Sequence, residues 1–267
     1  MNKLILLVIC SLVFMVSESS AMHILPYHEK SAKKEDGTHS GHMRKAPLYQ
    51  LMDVDENSKV ELSYYLSNLE KIDLEYSGKP VKMPRGKNDN YHAIIAKSDT
   101  NEKFVGASYY IYKYGKPSNV SPTKITLLDK LAFEIKPNPL PKEHDEYKTS
   151  KKYGFIVTLN AKPISTKINL QTLNGTTVEY TSDEDGRFSV ILPNDFKDVK
   201  NSKRANRPSH FILSSKIKEN TKEYETSFTM PYHVNPNDYW QNSKYGGLVA
   251  LLGLVFGILI YRKSKNG

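Results

Sequence analysis

Four of the eight histidines lie near the start of the chain, and a methionine directly follows the last of them. Imidazole is the commonest metal ligand in proteins, and a thioether suits soft or borderline ions. Residues 39–43 hold two of the histidines and the methionine, a spacing that brings three donors within reach of one ion. The pattern predicts a site for nickel, cobalt or copper formed by His23, His28, His39, His42 and Met43.

The segment that carries these residues, 22–48, has no hydrophobic periodicity and is rich in lysine, serine and glycine. Such a composition predicts a flexible arm. Two interpretations of the arm follow. A metal-binding arm would release its ion as the pH falls and the imidazoles take up protons, whereas a solvated polar arm would give its histidines no specific role.

The first 21 residues have the pattern of a secretory signal peptide. Lys3 precedes an apolar run, 4–16, and a polar stretch with small residues ends at Ala21. Cleavage after Ala21 would make His23 the second residue, so that the free amine and a backbone nitrogen could join its imidazole in chelation. The single cysteine, Cys10, would leave with this segment, and the mature chain is therefore expected to contain no disulfide.

A second apolar segment lies near the C-terminus. Residues 246–261 carry no charge, aromatic residues precede them, and the basic tail 262–267 follows. The segment predicts one membrane span, with the tail in the cytoplasm and the bulk of the chain exported to the periplasmic side. We therefore expect a single-pass protein of the cell membrane.

Charge and motifs exclude two classes of function. The formal net charge of +9 leaves a mild excess on the exported part, where nucleic acid would not be a partner. The sequence has no nucleophile elbow, no zinc-protease helix and no phosphate loop. We expect a protein that is not an enzyme.

The segments between the arm and the predicted membrane span have the sequence pattern of β-strands. Residues 163–193 alternate apolar and polar side chains around Asn174-Gly175 and Asp185-Gly186, which predicts a three-stranded meander with one apolar face. Residues 155–159 and 211–213 can supply partner strands, and the proline cluster of 137–141 with the charged run 142–152 reads as a connector.

An earlier β-rich region contains a run of tyrosines on one strand. Residues 91–96 and 104–114 are extended in pattern, and Tyr109 and Tyr112 fall on opposite faces of the second segment. Such tyrosines can bind a glycan or a protein partner, but half-buried strands also use tyrosine freely. Both interpretations stay open.

The meander residues resemble the carboxypeptidase-regulatory-like, or prealbumin-like, β-sandwich domain. The resemblance is carried by Pro163, Leu170, Thr172, residues 174–176, residues 181–183, residues 185–188 and residues 192–193. The whole layout is similar to a bacterial exported, membrane-anchored family of unknown function that is associated with nickel and cobalt uptake transporters. The resemblance implies an accessory role near a metal permease, and it implies no catalytic residues.

The expected fold class is all-β, with two small antiparallel sandwiches, Ig-like or prealbumin-like, before one transmembrane helix. The predicted divisions are a signal peptide 1–21, a histidine-rich arm 22–48, a β-domain 49–130, a sandwich 131–235, a linker 236–245, a span 246–261 and a cytoplasmic tail 262–267. The expected function is that of a non-enzymatic metal-binding accessory acting near a transporter or other envelope protein. The alternative is an envelope interaction protein that binds a protein or glycan partner.

Overall fold

The computed structural model describes residues 21–27, 47–84, 90–113, 120–141, 145–239 and 242–265. The predicted signal peptide lies outside this part of the chain except for Ala21. The strands are β1 (His23–Tyr27), β2 (Leu48–Met52), β3 (Glu61–Tyr65), β4 (Lys71–Leu74), β5 (Val81–Lys82), β6 (Asn90–Asp99), β7 (Lys103–Lys113), β8 (Phe133–Pro137), β9 (Tyr147–Lys148), β10 (Lys152–Leu159), β11 (Lys162–Pro163), β12 (Lys167–Thr172), β13 (Thr177–Thr181), β14 (Arg187–Ile191), β15 (Ser209–Glu219) and β16 (Lys222–His233). The helices are α1 (Thr123–Leu127), α2 (Pro236–Tyr239) and α3 (Asn242–Lys265), and Lys203–Ala205 forms a 3-10 turn.

The strands form three layers. A nine-stranded sheet runs in the order β13-β12-β15-β16-β7-β6-β3-β4, with β9 paired to β16. One core lies between this sheet and the four-stranded sheet of β8, β10, β11 and β14, and a second core lies between it and the sheet of β1, β2 and β5. Strand β6 serves both cores, since Ala93 and Ile95 face the first and Ile94 and Ala96 the second.

One parallel pairing joins the two predicted β units. Strand β7, from the first unit, pairs with β16, from the second, over the register Glu223↔Lys103 to Thr229↔Tyr109. The prediction of a mostly-β chain that ends in one apolar helix is confirmed. The two units do not form two separate antiparallel sandwiches in this structure, because the pairing makes one sheet of them.

The predicted meander is wrong at its second turn. Strands β12 and β13 pair around Gly175, which has a φ of +101°. Strand β14 instead pairs with β10, so the turn at Gly186 carries the chain from the large sheet to the four-stranded one. A Cβ on Gly186 would lie 2.4 Å from the Val157 carbonyl oxygen, so this crossing needs glycine. Apolar faces of β12 and β14 therefore meet across the core.

Helix α3 extends beyond the predicted span of 246–261. Its segment Tyr245–Lys265 has a mean hydropathy of 1.8 over its most apolar window and none of that window is buried. Among the described residues it is the one helix long and apolar enough to cross a membrane. The basic residues of the predicted tail continue its last turn.

A buried ion pair fixes the connection between α1 and β8. The Lys130 Nζ lies 2.8 Å from Glu134 Oε1, and both side chains are fully buried. The ammonium also donates to the carbonyl oxygens of Ile125 and Leu128, at 3.0 and 2.8 Å. Burial lowers the pKa of Lys130, and the nearby Glu134 carboxylate offsets only part of this lowering. The pair therefore depends on each partner being present.

Replacing Lys130→Met should lower the free energy of unfolding by about 3 kcal/mol, because it leaves the buried Glu134 carboxylate with Lys136, whose Nζ lies 3.9 Å from Oε2, as its remaining cation. The double variant Lys130→Met/Glu134→Gln should recover most of that loss. Urea unfolding of the full chain in detergent measures both. Lys167→Met is the matched control, since it breaks a 3.0 Å pair whose side chains are 74% and 54% exposed and should cost less than about 1 kcal/mol. A double variant as unstable as Lys130→Met would contradict this account.

Candidate functional site: a tyrosine-lined cleft

A cleft opens where β7 and β16 stop pairing. Their parallel register ends at Tyr109↔Thr229, and β16 then takes β9 as its neighbour at Tyr232↔Tyr147. Strand β7 continues alone on that side to Lys113. The cavity between them has a volume of about 350 Å³. It is lined by Tyr49, Tyr91, Tyr109, Tyr110, Ile111, Tyr112, Pro141, Asp145, Glu146, Tyr147, Lys203, Met230, Pro231 and His233.

The tyrosine rings of the cleft are held by one another. Tyr91 and Tyr112 meet edge to face with centroids 5.0 Å apart, and Tyr49 and Tyr109 lie at 5.2 Å. The Tyr91 hydroxyl donates to the Pro141 carbonyl oxygen at 2.9 Å. Tyr112 is half-buried, whereas the other three are buried. The ring of Tyr112 is thus the most accessible of the four to a ligand.

Deep burial keeps the cleft hydroxyls uncharged. It raises the pKa of Tyr109, Tyr110 and Tyr147 well above the ordinary value of 10.0. The Tyr109 hydroxyl lies 3.4 Å from His210 Nε2, at the start of β15. At neutral pH these tyrosines act as apolar walls with neutral hydrogen-bonding groups.

Charged residues form the opposite rim. Glu146 pairs with Lys203 at 2.9 Å and lies 3.7 Å from His233 Nε2, while Asp145 pairs with Lys148 at 2.7 Å. Carboxylates held in this way keep oxygen lone pairs that can accept hydrogen bonds from a ligand. The rim therefore adds polar recognition to the aromatic walls.

Sequence reasoning missed this rim, because it interpreted 137–152 as a connector. The structure uses the segment as a wall of the cleft, with Pro141 and Tyr147 facing inward. Tyr147 is 2% exposed and contacts Tyr153 and Phe211, at centroid distances of 4.7 and 5.1 Å. The one aromatic residue in an otherwise charged run was the available signal.

The predicted metal ligands are not brought together in the described structure. His23 lies in β1 and is 5% exposed, with Nδ1 2.9 Å from the Ala21 carbonyl oxygen and 3.4 Å from Asp53 Oδ2. The first part of the predicted flexible arm is thus a strand, because the buried side chains of Met22 and Ile24 anchor it in the second core. The described residues contain no group of three or more His, Cys, Asp or Glu side chains placed to hold an ion.

The other predicted ligands, His28, His39, His42 and Met43, lie outside the described residues. The predicted nickel, cobalt or copper site therefore stays a prediction. The structure shows that it should be tested by substituting single residues and not by deleting the arm. Deleting the arm would also remove β1, so that lost binding could reflect lost folding.

Comparisons with known proteins name no family. No protein-family model and no curated protein matches the chain. Among solved structures, the chain is similar to a 1.5-MDa bacterial ice-binding adhesin studied for host cell surface retention, with 10% identity and a TM-score of 0.26 over 71% of this chain and 57% of that one. It is also similar to a tetra-tandem repeat in the extending region of a large adhesion protein, with 11% identity and a TM-score of 0.25 over 81% and 49%. The chain thus spans about half the length of these structures, and the resemblance to the nickel and cobalt associated family stays a prediction.

The rim should make folding stability depend on pH through His233. Burial lowers the pKa of His233 below its ordinary 6.5, and the Glu146 carboxylate opposes this only in part. The unfolded chain therefore takes up this proton at a higher pH than the folded chain, and stability falls as the pH drops below about 6.5. Urea unfolding at about pH 8 and about pH 5 should show a smaller loss for His233→Asn than for the unchanged chain. An equal loss in both proteins would contradict the assignment.

The metal prediction is tested on the full chain in detergent by calorimetric titration with Ni(II), Co(II) and Cu(II). We expect micromolar or tighter binding that weakens as the pH falls and that disappears in the variant His28→Asn/His39→Asn/His42→Asn. His233→Asn, which alters a histidine of the cleft, is the control and should bind as the unchanged chain does. Equal binding by the triple variant and the unchanged chain would discard the arm as a metal site.

Proposed function

We propose that this chain is a single-pass, membrane-anchored binding protein whose tyrosine-lined cleft takes a glycan segment of the cell envelope. The observation that carries the proposal is the gathering of six tyrosine rings and two carboxylates at the point where β7 and β16 separate. A cavity of about 350 Å³ is within the usual range for sites that hold small ligands.

The chemistry of the cleft suits a sugar. Aromatic rings offer flat apolar faces against which the C–H faces of a pyranose can stack, and the hydroxyl tip of tyrosine hydrogen-bonds at the same time. Asp145 and Glu146 on the rim can accept hydrogen bonds from sugar hydroxyls.

Helix α3 supports the anchor. Its apolar part is long enough to cross a bilayer, and basic residues follow it at Arg262, Lys263 and Lys265. Basic residues are retained on the cytoplasmic side of a span, which supports an orientation with the sheets outside. The proposed signal peptide, 1–21, agrees with this orientation.

The topology places the cleft at the end of the sheets that leads to the anchor. Strands β7 and β16 are parallel, so their C-terminal ends lie together, and β16 continues into α2. Tyr245, the start of the apolar segment, lies six positions after Tyr239, the end of α2. Six residues span at most about 20 Å, so a glycan in the cleft would lie close to the membrane surface.

Capture of a metal ion for a permease is the second proposal. It rests on His28, His39 and His42, whereas the lead proposal rests on residues whose geometry is described. His23, which the metal proposal also invoked, lies buried in β1. The two proposals are separated by the titration described above and by the experiment that follows.

Replacing Tyr112→Ala should weaken glycan binding about tenfold, since an aromatic contact contributes about 0.5–1.5 kcal/mol beyond the area it buries. The full chain in detergent is applied to a panel of immobilised neutral, amino and acidic oligosaccharides, and the best binder is titrated by calorimetry. Tyr224→Ala is the matched control, because Tyr224 is half-buried like Tyr112 and pairs with Phe104 at the other end of the β7–β16 register, away from the cleft. No binding to any oligosaccharide, or an equal loss in both variants, would overturn the proposal.

A further inference from the structure

The loop that connects β14 to β15 concentrates positive charge. Residues 194–208, here the basic loop, contain two acidic and five basic residues, a net charge of +3. All five basic side chains are exposed. They are Lys197, Lys200, Lys203, Arg204 and Arg207.

The base of the loop is fixed to the large sheet. Asp195 accepts hydrogen bonds from the Thr172 hydroxyl at 2.6 Å, from the Asn174 amide at 3.1 Å and from the Tyr232 hydroxyl. Burial raises the pKa of Asp195, but these hydrogen bonds outweigh it and the pKa is lowered overall. One of the two carboxylates of the loop is thus turned inward, away from the exposed cations.

Most of the cations of the loop have no carboxylate partner. Lys203 pairs with Glu146 at 2.9 Å. In the part of the chain that the structure describes, no ion pair is found for Lys197, Lys200, Arg204 or Arg207. Their charge is therefore available to an external anion.

The loop lies against the segment that leads to the anchor. Lys203 and Asn206 line a small cavity of about 100 Å³ together with Pro236 and Tyr239 of α2. Helix α2 is itself held to the sheets, since Asp238 accepts a hydrogen bond from the Thr149 hydroxyl at 3.3 Å. From Tyr239 to the apolar segment the chain reaches at most about 20 Å. With α3 in a bilayer, this short connection lets the loop reach the membrane surface without fixing it there.

We propose that the basic loop binds the anionic headgroups of phospholipids in the leaflet that its own anchor enters. This inference rests on the proposed membrane anchor and adds a second contact with the bilayer. Guanidinium groups form bidentate hydrogen bonds with phosphate oxygens. Each lysine or arginine near an anionic membrane surface contributes about 1 kcal/mol of electrostatic attraction. Attraction of this kind acts within about one Debye length, roughly 8–10 Å at physiological salt, and a connection of at most about 20 Å lets the loop approach the headgroups that closely.

Binding by the loop would also orient the cleft. Lys203 belongs to both the basic loop and the rim, where it pairs with Glu146. A loop pressed against headgroups would hold that rim at the bilayer and leave the tyrosine wall of β7 to face along the surface.

The test uses the full chain reconstituted into phosphatidylcholine vesicles with or without phosphatidylglycerol. A fluorophore on Asn201→Cys reports the approach of the loop through quenching by nitroxide-labelled headgroups. The same label on Thr221→Cys, at the far turn between β15 and β16, is the positional control. Cys10 of the proposed signal peptide is replaced by serine in all variants. We expect strong quenching at position 201 only in anionic vesicles, reversed by high salt.

Two charge-removing double variants test whether docking to the headgroups depends on the basic loop. Arg204→Gln/Arg207→Gln should lower the ratio of docked to undocked loop by about an order of magnitude in anionic vesicles. Lys162→Gln/Lys218→Gln removes the same charge from exposed residues at the far end and should leave the ratio unchanged. Equal quenching in neutral and anionic vesicles, or an equal effect of both variants, would overturn the inference. Failure of the protein to float with either kind of vesicle would instead show that the anchor itself is absent, and the inference would fall with it.

Discussion

The parallel pairing of β7 with β16 is the constraint on which the rest of the structure depends. It is the seam between the two halves of the nine-stranded sheet, and without it each half would expose a strand edge. The seam is buried on both faces, since Thr226, Ser227 and Thr229 are fully buried and Tyr110 packs on Phe228 at a centroid distance of 5.9 Å. The end of the seam is what makes the cleft, because beyond it β16 takes β9 as its neighbour while no described strand pairs with β7 on that side.

The sequence predicted where strands lie better than how they pair. The alternation of 91–96 and 104–114 matches β6 and β7 closely, and the segments at 155–159 and 211–213 lie within β10 and β15. Alternation tells which side chains face a core, but it carries no information on the neighbouring strand. The seam joins residues more than a hundred positions apart, and the crossing at Gly186 looks in sequence like an ordinary hairpin turn.

The site was foreseen in part. A binding role for the tyrosines of β7 was one of the two interpretations that the sequence left open. The structure places Tyr109 and Tyr112 in one cleft. The second wall was not predictable from composition, because lysine and glutamate dominate the charged run around Tyr147 and normally indicate a solvated loop. His23 was misplaced for a related reason. Strand β1 is only five residues long, too short for its alternation to stand out from the polar sequence that follows.

The contact between the segment at β1 and strand β16 sets the order in which the fold can be completed. The Met22 carbonyl oxygen accepts a hydrogen bond from the Ser227 hydroxyl at 2.5 Å, across 205 positions of sequence. During synthesis the first strand leaves the ribosome long before its partner, so it must wait without its final neighbour until β16 emerges. Strand β16 is followed within a dozen residues by the apolar helix. The last step of folding therefore waits for β16, and a chain stalled before β16 would expose both the seam edge of β7 and the docking face of β1.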